Sequence, residues 1–429
     1  MSSAPQAKRA RKAPKVDMGP FSVDPIGFGS MLLGIEYPEP GKRPKKPAAI
    51  ELLQTAFDSG VEMIDTADSY CAGPGGSKEA EAQHYVETLI REAIESYDGD
   101  ASRIRVCTKG GMRRIDSTSR GWRPVACSAS AVRQMVEDSR KALGGSKPLD
   151  LFMLHHTDAL NAKLLEEVLK VLQGMVKEGV VLALGLANAT VANLDLAERL
   201  GVRIAAVQNQ YSLWQREAEQ ERPSSASATS RKGVLLWCAS RGVAFMPYGV
   251  LGGVQCRDGR RELLQSFPQL INMAASKDVS PHALVLTWMR QRFPNIVHIV
   301  GSRGKQHVLD GAQARNVLLT VEELDAISAM KQSRAAPKVA PALKVSYIYM
   351  EKERLSTAST KQLTELEDAM AKLSSDAPLK GKVRIVVDSK RDRLCFQALG
   401  GDSGLHIPPA VQKIVEEVLQ CHFGCGVPR

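Results

Sequence analysis

The stretch Val61-Glu-Met-Ile-Asp-Thr-Ala-Asp-Ser-Tyr70 places two reactive side chains directly after an apolar, strand-like run. Two later runs end in the same way: Ile104-Arg-Val-Cys-Thr108 is followed by a lysine, and Leu151-Phe-Met-Leu154 is followed by a histidine. Polar residues at the carboxyl ends of parallel strands lie at one end of the sheet or barrel. We therefore expect four side chains to meet there: Asp65, Tyr70, Lys109 and His155.

These four residue types suit proton donation to a carbonyl oxygen. A tyrosine keeps its proton at neutral pH, because its unperturbed pKa is about 10. Lys109, held by Asp65, is expected to favour the tyrosinate and so lower the pKa of Tyr70. A histidine can hydrogen-bond the carbonyl oxygen. The four residues predict a reaction in which hydride adds to the carbonyl carbon and Tyr70 is the general acid. The alternatives are that Tyr70 is a packed loop tyrosine and that Asp65 and Lys109 form a structural ion pair.

Strand-like runs alternate with helical patterns between residues 25 and 314. The predicted strands are 25–29, 61–65, 104–108, 149–154, 181–186, 203–208, 243–247 and 296–300. The predicted helices are 48–59, 78–96, 130–143, 161–177, 191–199, 232–241, 282–292 and 304–314. Strands separated by helices indicate a parallel sheet with helical crossovers. Eight such units favour an α/β fold of the (β/α)8 TIM-barrel type over an open doubly wound sheet.

Length and composition allow one large α/β domain plus a smaller piece, and we expect the protein to be cytoplasmic. The chain has 429 residues, 44% of them apolar, which is enough to bury a sizeable core. It shows neither a signal-peptide stretch nor an apolar run of about 18 residues, so we predict no membrane span. Its eight cysteines are scattered, and without a secretory signal they are expected to be reduced thiols.

The net charge of +10 is concentrated at the N-terminus. Five basic residues precede the first acid, Asp17, which leaves about +5 for the rest of the chain. The run Lys8-Arg-Ala-Arg-Lys12 is compatible with a nuclear import signal or a polyanion contact. The composition of residues 1–17 favours a disordered basic tail.

Composition and the pattern of strands and helices divide the sequence into three parts. Residues 1–17 form the tail, residues 18–335 form the barrel, and residues 336–429 form a small α+β extension of unknown role. The extension is predicted to contain a helix at 359–373, a strand at 383–387 and a helix at 408–420. Cys421, His422 and Cys425 do not have the spacing of a usual zinc site, so no metal is predicted.

Three loops are unusual in composition. Residues 40–47 are a basic, proline-rich insert, and residues 217–231 are polar and serine-rich. The second loop is expected to be mobile, either covering the site or a simple insertion. The loop after Lys109 is basic and aromatic, which fits either an anionic or aromatic substrate or a solvated rim. Its residues of interest are Arg113, Arg114, Arg120, Trp122 and Arg123.

Seven segments, taken in chain order, resemble those of the aldo-keto reductase family. They are Met63-Ile-Asp-Thr-Ala-Asp-Ser-Tyr70, Thr108-Lys-Gly110, Asp150-Leu-Phe-Met-Leu-His155, Leu184-Gly-Leu-Ala-Asn188, Val207-Gln-Asn-Gln-Tyr211, Val243-Ala-Phe-Met-Pro247 and Val300-Gly-Ser-Arg303. The resemblance covers about residues 24–330. It implies a TIM-type barrel without a Rossmann domain, binding NADPH (NADP+) and reducing an aldehyde or ketone to an alcohol.

The resemblance also implies which residues bind the nicotinamide half of the coenzyme. Asn188 and Gln208 are expected to hydrogen-bond its carboxamide, where Ala187 replaces the usual serine. Phe245 stands where the family commonly has a tyrosine that stacks on the ring. Leu251 and Gly253 belong to the loop expected to wrap the pyrophosphate.

At the adenosine end, the resemblance implies that Ser302 and Arg303 approach the 2′-phosphate, which would favour NADPH over NADH. His307 replaces a common arginine, and Asp310 keeps an acidic residue near the adenine. Gly301 and Gly311 replace a common lysine and asparagine, and Lys305 is a candidate to compensate. The strength of the NADPH preference therefore stays open.

The resemblance places the substrate-orienting histidine directly after Leu154, which selects His155. His156 is expected to point away or to contact a helix, because adjacent strand residues point to opposite faces. The partner expected is a small carbonyl substrate. Neither a membrane nor, given the modest charge of the barrel, a nucleic acid is expected, and the oligomeric state is open. Two other functions remain: a nicotinamide-binding regulatory subunit on the same barrel, and an adaptor acting through the basic tail or the C-terminal extension.

Overall fold

The computed structural model describes most of the chain up to residue 332 and three strands beyond it. The described residues are 13–36, 43–118, 121–125, 128–223, 230–252, 263–332, 346–349, 383–388 and 393–398. The chain divides into two units, Met1–Gln332 and Ser333–Arg429. The first unit carries all the residues that the sequence singles out for catalysis and coenzyme binding.

The described strands of the first unit are numbered in chain order. They are β1 (Val16–Met18), β2 (Phe21–Val23), β3 (Ile26–Gly29), β4 (Met63–Asp65), β5 (Arg105–Gly110), β6 (Met112–Arg114), β7 (Trp122–Pro124), β8 (Leu149–Leu154), β9 (Val181–Ala187), β10 (Ile204–Gln208), β11 (Ala244–Phe245) and β12 (His298–Gly301).

The described helices are numbered likewise. They are α1 (Met31–Gly34), α2 (Lys46–Asp58), α3 (Tyr85–Glu95), α4 (Ala129–Ala142), α5 (Ala162–Lys177), α6 (Val191–Arg199), α7 (Val234–Arg241), α8 (Leu263–Ser266), α9 (Gln269–Ser276), α10 (Pro281–Arg292), α11 (Lys305–Gln313) and α12 (Val321–Ala329).

Eight parallel strands form the barrel that the alternating pattern predicts. Neighbouring strands follow the order β11-β10-β9-β8-β5-β4-β3-β12. The two edges meet at a parallel bridge between Phe245 and Ile296, where the N–H of Val297 donates to the carbonyl of Phe245 at 2.9 Å. Each of the eight predicted strands contains or overlaps one of these strands, and the (β/α)8 fold is confirmed.

Strand alternation decides which side chains enter the barrel. Residues such as Cys107, Leu151 and Met246 belong to the apolar cluster inside it. Their neighbours along each strand, such as Val106 and Phe152, pack outward in a larger cluster with the helices. Further along strands such as β4 and β5, the next inward-pointing side chains are polar, and they lie at the carboxyl end of the barrel.

The short hairpin β1–β2 corrects the boundary of the predicted tail. The expected disordered tail spans residues 1–17, but Val16 and Asp17 already belong to β1, where Val16 pairs with Val23. Val16 and Met18 are buried with the barrel-interior residues, whereas Asp17 is exposed. This two-residue apolar period is too short to stand out beside the basic run, yet it suffices to order the segment.

Helix α3 is shorter than predicted because of one backbone conformation. The pattern predicts a helix over 78–96, whereas a short 3-10 turn at Lys78–Ala80 precedes α3, which begins at Tyr85. His84 between them is left-handed, with φ 65°. A helix cannot run through a left-handed residue, so the 3-10 turn and α3 are separate.

The polar loop at 217–231 is described at both of its ends. It begins with a 3-10 turn, Glu217–Glu219, and its last residues return to that turn. The Glu217 carboxylate accepts from the Ser230 hydroxyl at 3.1 Å and from the Arg231 N–H at 3.3 Å. Residues 224–229, like the insert residues 40–42, lie outside the described residues.

The second unit is described by three antiparallel strands. They are β13 (Ser346–Tyr349), β14 (Val383–Asp388) and β15 (Arg393–Ala398), in the order β13-β15-β14. The strand predicted at 383–387 is β14. The helices predicted at 359–373 and 408–420, and Cys421, His422 and Cys425, lie outside the described residues. Among the described helices, none has the length and apolarity needed to cross a bilayer.

Candidate active site

The structure brings a carboxylate, an ammonium and a phenol together at the carboxyl end of the barrel. Lys109 is the penultimate residue of β5 and is fully buried. Its Nζ lies 2.7 Å from Asp65 Oδ1, donates to the Thr66 carbonyl at 2.7 Å and lies 3.2 Å from the Tyr70 hydroxyl. Burial of an ion pair is tolerated when both charges are paired and hydrogen-bonded, as they are here.

The predicted fourth member, His155, completes the group. Its ring meets the ring of Tyr70 edge-on, with centroids 5.9 Å apart. His156 is 38% exposed and turns toward Asp158, with its Nδ1 3.3 Å from Oδ1. The rings of His155 and His156 stack with centroids 5.8 Å apart, and it is His155 that contacts Tyr70. The catalytic role of His155 stays a proposal.

Burial controls the protonation states of this group. It raises the pKa of Tyr70 to about 12, against the lowering effect of Lys109. The expected lowering by Lys109 is present but smaller than the desolvation effect, so the net direction is upward. Burial, followed by the charge of Lys109 and then His156, holds the pKa of His155 well below its usual range. Tyr70 is a protonated phenol at neutral pH and His155 a neutral imidazole.

Lys109 keeps its charge in this buried position. Desolvation alone would lower the pKa of the ammonium, but Asp65, together with Tyr70 and Cys107, outweighs it and the pKa of Lys109 is raised. Burial, and then the charge of the same carboxylate, raises the pKa of the Cys107 thiol well above its usual value. Three described cysteines of the first unit are free and buried: Cys71, Cys107 and Cys238.

Gln208 touches the catalytic group itself. It ends β10 at 4% exposure, and its Nε2 donates to Asp65 Oδ1 at 2.7 Å. The sequence predicts Gln208 as a ligand of the nicotinamide carboxamide. In the structure, its side-chain amide orients the Asp65 carboxylate.

Asn188 follows β9 in a left-handed conformation, φ 55°, at 5% exposure. Its Nδ2 donates to the His155 carbonyl at 2.8 Å, and its Oδ1 accepts from the Tyr248 hydroxyl at 2.8 Å. Asparagine tolerates this conformation better than most side chains. Asn188 therefore links the ends of β8 and β9 to the loop after β11.

Phe245, which the sequence predicts to stack on the nicotinamide, packs inside the protein. Phe245 is fully buried on the outer face of the barrel, where its ring meets Tyr211 edge-on at 6.3 Å. Ala244 and Met246, on either side, belong to the barrel interior. Alternation along the strand thus points Phe245 toward the helices.

Tyr248, three residues after Phe245, brings an aromatic ring to the mouth of the barrel. This residue was not predicted from the sequence, although its position between Pro247 and Gly249 is typical of a turn.

Arg303 follows β12 and is held by main-chain carbonyls. Its Nε donates to the Leu32 carbonyl at 3.1 Å and its Nη2 to the Ile35 carbonyl at 3.0 Å. Ser302 is 3% exposed, and its hydroxyl donates to the Gly304 carbonyl at 2.9 Å. The predicted phosphate ligands are therefore adjacent and fixed at the start of α11.

The remaining predicted coenzyme residues lie on or beside α11 and in the loop after β11. Asp310 accepts from Gln306 at 2.8 Å, and Lys305 forms an exposed ion pair with Glu51. His307 is exposed on α11. Leu251 is half-buried in the loop, and Gly253 lies outside the described residues.

An aromatic wall stands beside Tyr70. The Trp122 ring meets the Tyr70 ring edge-on at 6.1 Å, and the Arg114 guanidinium lies over Trp122 at 4.4 Å. Arg114 is 3% exposed, whereas Arg113 and Arg123 are exposed. The antiparallel pair β6–β7 holds these residues, and Arg120 lies outside the described residues. The basic loop thus contributes a buried arginine–tryptophan stack as well as a solvated rim.

The chain matches known proteins over the region of the barrel. The model of the Aldo/keto reductase family matches residues 25–332. An uncharacterized oxidoreductase of Schizosaccharomyces pombe is 30% identical over 328 residues, covering 75% of this chain and 91% of that protein. Pyridoxine 4-dehydrogenase of Escherichia coli is 29% identical over 324 residues, covering 73% of this chain and 97% of the relative.

Solved structures show the same fold at lower identity. An aldo-keto reductase from Klebsiella pneumoniae in complex with NADPH has a TM-score of 0.55 at 21% identity, covering 73% of this chain and 94% of that one. A Bombyx mori aldo-keto reductase in complex with NADP has a TM-score of 0.56 at 19% identity, covering 74% and 93%. Barrel, site and matches together define an oxidoreductase. The chain belongs to the aldo-keto reductase family.

Proposed function

We propose that this protein is an NADPH-dependent reductase that converts an aldehyde or ketone to an alcohol, with Tyr70 as the general acid. The observation that carries the proposal is the 3.2 Å separation between Lys109 Nζ and the Tyr70 hydroxyl. Asp65 Oδ1 forms an ion pair with the same Lys109 Nζ at 2.7 Å. A buried cation beside a buried phenol stabilises the anion that proton donation leaves.

The residues present fit a phosphorylated nicotinamide coenzyme. Arg303 is oriented by two carbonyls beside the N-terminus of α11, a pairing of guanidinium and helix end that suits a phosphate. Gly249 and Gly252 are left-handed, at φ 66° and φ 98°, and let backbone approach a ligand closely. The structures in complex with NADPH or NADP among the relatives by fold support the same coenzyme. When bound, it supplies the hydride.

The side chains supply the proton and the electrostatic environment. Tyr70 gives its hydroxyl proton to the carbonyl oxygen as that oxygen gains charge, and Lys109 stabilises the resulting tyrosinate. His155 is neutral, so it can hydrogen-bond the oxygen without competing as an acid. Asp65, oriented by Gln208, keeps Lys109 charged.

The substrate we propose has an aromatic ring beside its carbonyl. Trp122 stands edge-on to Tyr70 with a cation on its own face, which suits stacking of a flat ring at the site. The E. coli relative is named a pyridoxine dehydrogenase, so pyridoxal belongs in the first panel of substrates.

Turnover of a carbonyl panel with NADPH tests the proposal. Pyridoxal, para-nitrobenzaldehyde and an aliphatic aldehyde are followed by loss of NADPH absorbance in the wild type and in Tyr70→Phe. We expect wild-type turnover and its loss in the variant, with NADPH binding retained in both. NADPH binding without turnover of any carbonyl would favour the regulatory alternative instead.

A further inference from the structure

A buried carboxylate, Glu87, lies behind the Lys109–Tyr70 pair and contacts both elements that carry it. Glu87 lies in the first turn of α3 and is fully buried. One of its oxygens accepts a hydrogen bond from the Thr108 hydroxyl, and the other lies 2.5 Å from His84 Nδ1. Burying a charged carboxylate is costly unless it is paired, and these two partners meet that need.

Thr108 connects Glu87 to Lys109. The two residues are adjacent in β5 and point to opposite faces of the barrel, Lys109 inward and Thr108 toward α3. A hydrogen bond that fixes the outward side chain therefore fixes the rotation of the strand at the position of the inward ammonium.

The start of α3 holds the loop that carries Tyr70. The His84 N–H donates to the Asp68 carbonyl at 2.7 Å, and the Val86 N–H donates to the Tyr70 carbonyl at 3.4 Å. His84 makes its bond in a left-handed conformation that a histidine rarely adopts. The Tyr70 backbone is thus attached to the same helical turn from which Glu87 projects.

Protonation of His84, which its surroundings favour, strengthens this connection. Burial lowers the pKa of its imidazole, but the hydrogen bond and charge of Glu87 outweigh burial, with help from Asp68 and Asp138, so the pKa of His84 is raised. An imidazolium facing a buried carboxylate forms a stronger bond than a neutral pair does.

We propose that Glu87 is a positioning residue: by joining Thr108 on β5 to the turn that holds Tyr70, it sets the separation between Lys109 Nζ and the Tyr70 hydroxyl. The proposal rests on the proposed role of Tyr70 and deepens it. A shift of about 1 Å in reacting groups can reduce a rate by about 100-fold, so a small relaxation of this connection is measurable.

The test uses Thr108→Val, which removes the hydroxyl at nearly constant shape, and Thr108→Ser, which restores it. Glu87→Gln is the second variant. Thr287→Val is the matched control, since Thr287 is also fully buried and its hydroxyl donates to the Ala283 carbonyl at 2.8 Å on α10. Each variant is assayed for kcat and KM with para-nitrobenzaldehyde and NADPH, for Tm, and for the ζ-carbon NMR resonance of Tyr70, assigned with Tyr70→Phe.

We expect Thr108→Val and Glu87→Gln to lower kcat about 10-fold or more, to leave KM for NADPH within about 2-fold, and to shift the Tyr70 resonance. Thr108→Ser should keep the wild-type values, and Thr287→Val should lower Tm alone. If Glu87→Gln does not fold, Thr108→Val decides.

A folded Thr108→Val enzyme with wild-type kcat and an unmoved Tyr70 resonance would overturn the inference. An equal loss of kcat in Thr287→Val would do the same, because the effect would then be general destabilisation. A shifted resonance in a protein that reduces no carbonyl would leave the positioning role standing and remove the proposed function instead.

Discussion

Gln208 and Asp65 lie 143 residues apart in sequence and meet at 2.7 Å, with the Gln208 amide donating to the Asp65 carboxylate. The same oxygen, Oδ1, is 2.7 Å from Lys109 Nζ. One carboxylate oxygen thus contacts both the Lys109 ammonium on β5 and the Gln208 amide on β10. The Asp65–Lys109 pair is therefore oriented from across the barrel as well as along neighbouring strands.

Replacing Tyr70 should separate proton donation from coenzyme binding. Tyr70→Phe keeps the ring contacts with Trp122 and His155 and removes the hydroxyl near Lys109. General acid catalysis is typically worth about 100-fold to 10,000-fold, so kcat should fall by that order. Steady-state kinetics and NADPH fluorescence titration provide the check. Undiminished kcat would remove Tyr70 as the acid.

Breaking the buried ion pair should cost stability, and removing both charges should restore part of it. Lys109→Met leaves Asp65 buried without its cation, which typically costs about 3–5 kcal/mol. The double variant Asp65→Asn, Lys109→Met should recover much of this loss and stay inactive. Urea unfolding and turnover measure the two effects. A double variant no more stable than Lys109→Met would contradict the ion-pair argument.

Arg303 should discriminate between the two nicotinamide coenzymes. If its guanidinium contacts the 2′-phosphate, Arg303→Ala should raise the Kd for NADPH about 10-fold or more and change that for NADH little. NADH serves as the internal reference, because loss of the contacts with the Leu32 and Ile35 carbonyls would weaken both coenzymes. Arg241→Ala, at an exposed pair with Glu198, is the control variant. Equal changes for both coenzymes would refute the phosphate contact.

The burial of Phe245 and the position of Tyr248 predict different effects for substitutions at the two residues. Phe245→Tyr introduces a hydroxyl into a fully buried apolar site, so the free energy of unfolding should fall by about 1–3 kcal/mol while coenzyme affinity is kept. Tyr248→Phe should weaken NADPH binding, because Asn188 loses the hydroxyl that orients it. Denaturant melts and NADPH titration decide. The opposite pattern would favour the stacking role of Phe245.

Asp68 should make stability depend on pH in a known direction. Burial, and then the charge of Glu87, raises the pKa of Asp68 from 3.8 to about 7. A carboxyl whose folded pKa is raised contributes stability below its unfolded pKa and loses it as pH rises through the folded value. Asp68→Asn should therefore match the wild type near pH 4 and exceed it near pH 8, by at most about 4 kcal/mol. A pH-independent difference in Tm would contradict the raised pKa.

The sequence by itself determined the barrel and which residue types reach its mouth. Eight apolar runs separated by helical periods leave few alternatives to a parallel barrel, because strand alternation and crossover rules act locally. The same local rule places Asp65 and Lys109 after their runs, pointing inward. Local patterns failed where the deciding contact was distant: the hairpin containing Val16 is ordered by the barrel interior, and the left-handed His84 ends a helical pattern that continues in the sequence.

Tertiary structure alone decided the protonation states and the supporting contacts. Whether Lys109 or burial controls the pKa of Tyr70 depends on how much water the packed mouth excludes, and no spacing in the sequence encodes that quantity. The contacts of Gln208 with Asp65 and of Glu87 with Thr108 join strands and helices through space, so they exist only once the barrel has closed. Desolvation and long-range hydrogen bonding are properties of the assembled core, whereas strand identity is a property of a few neighbouring residues.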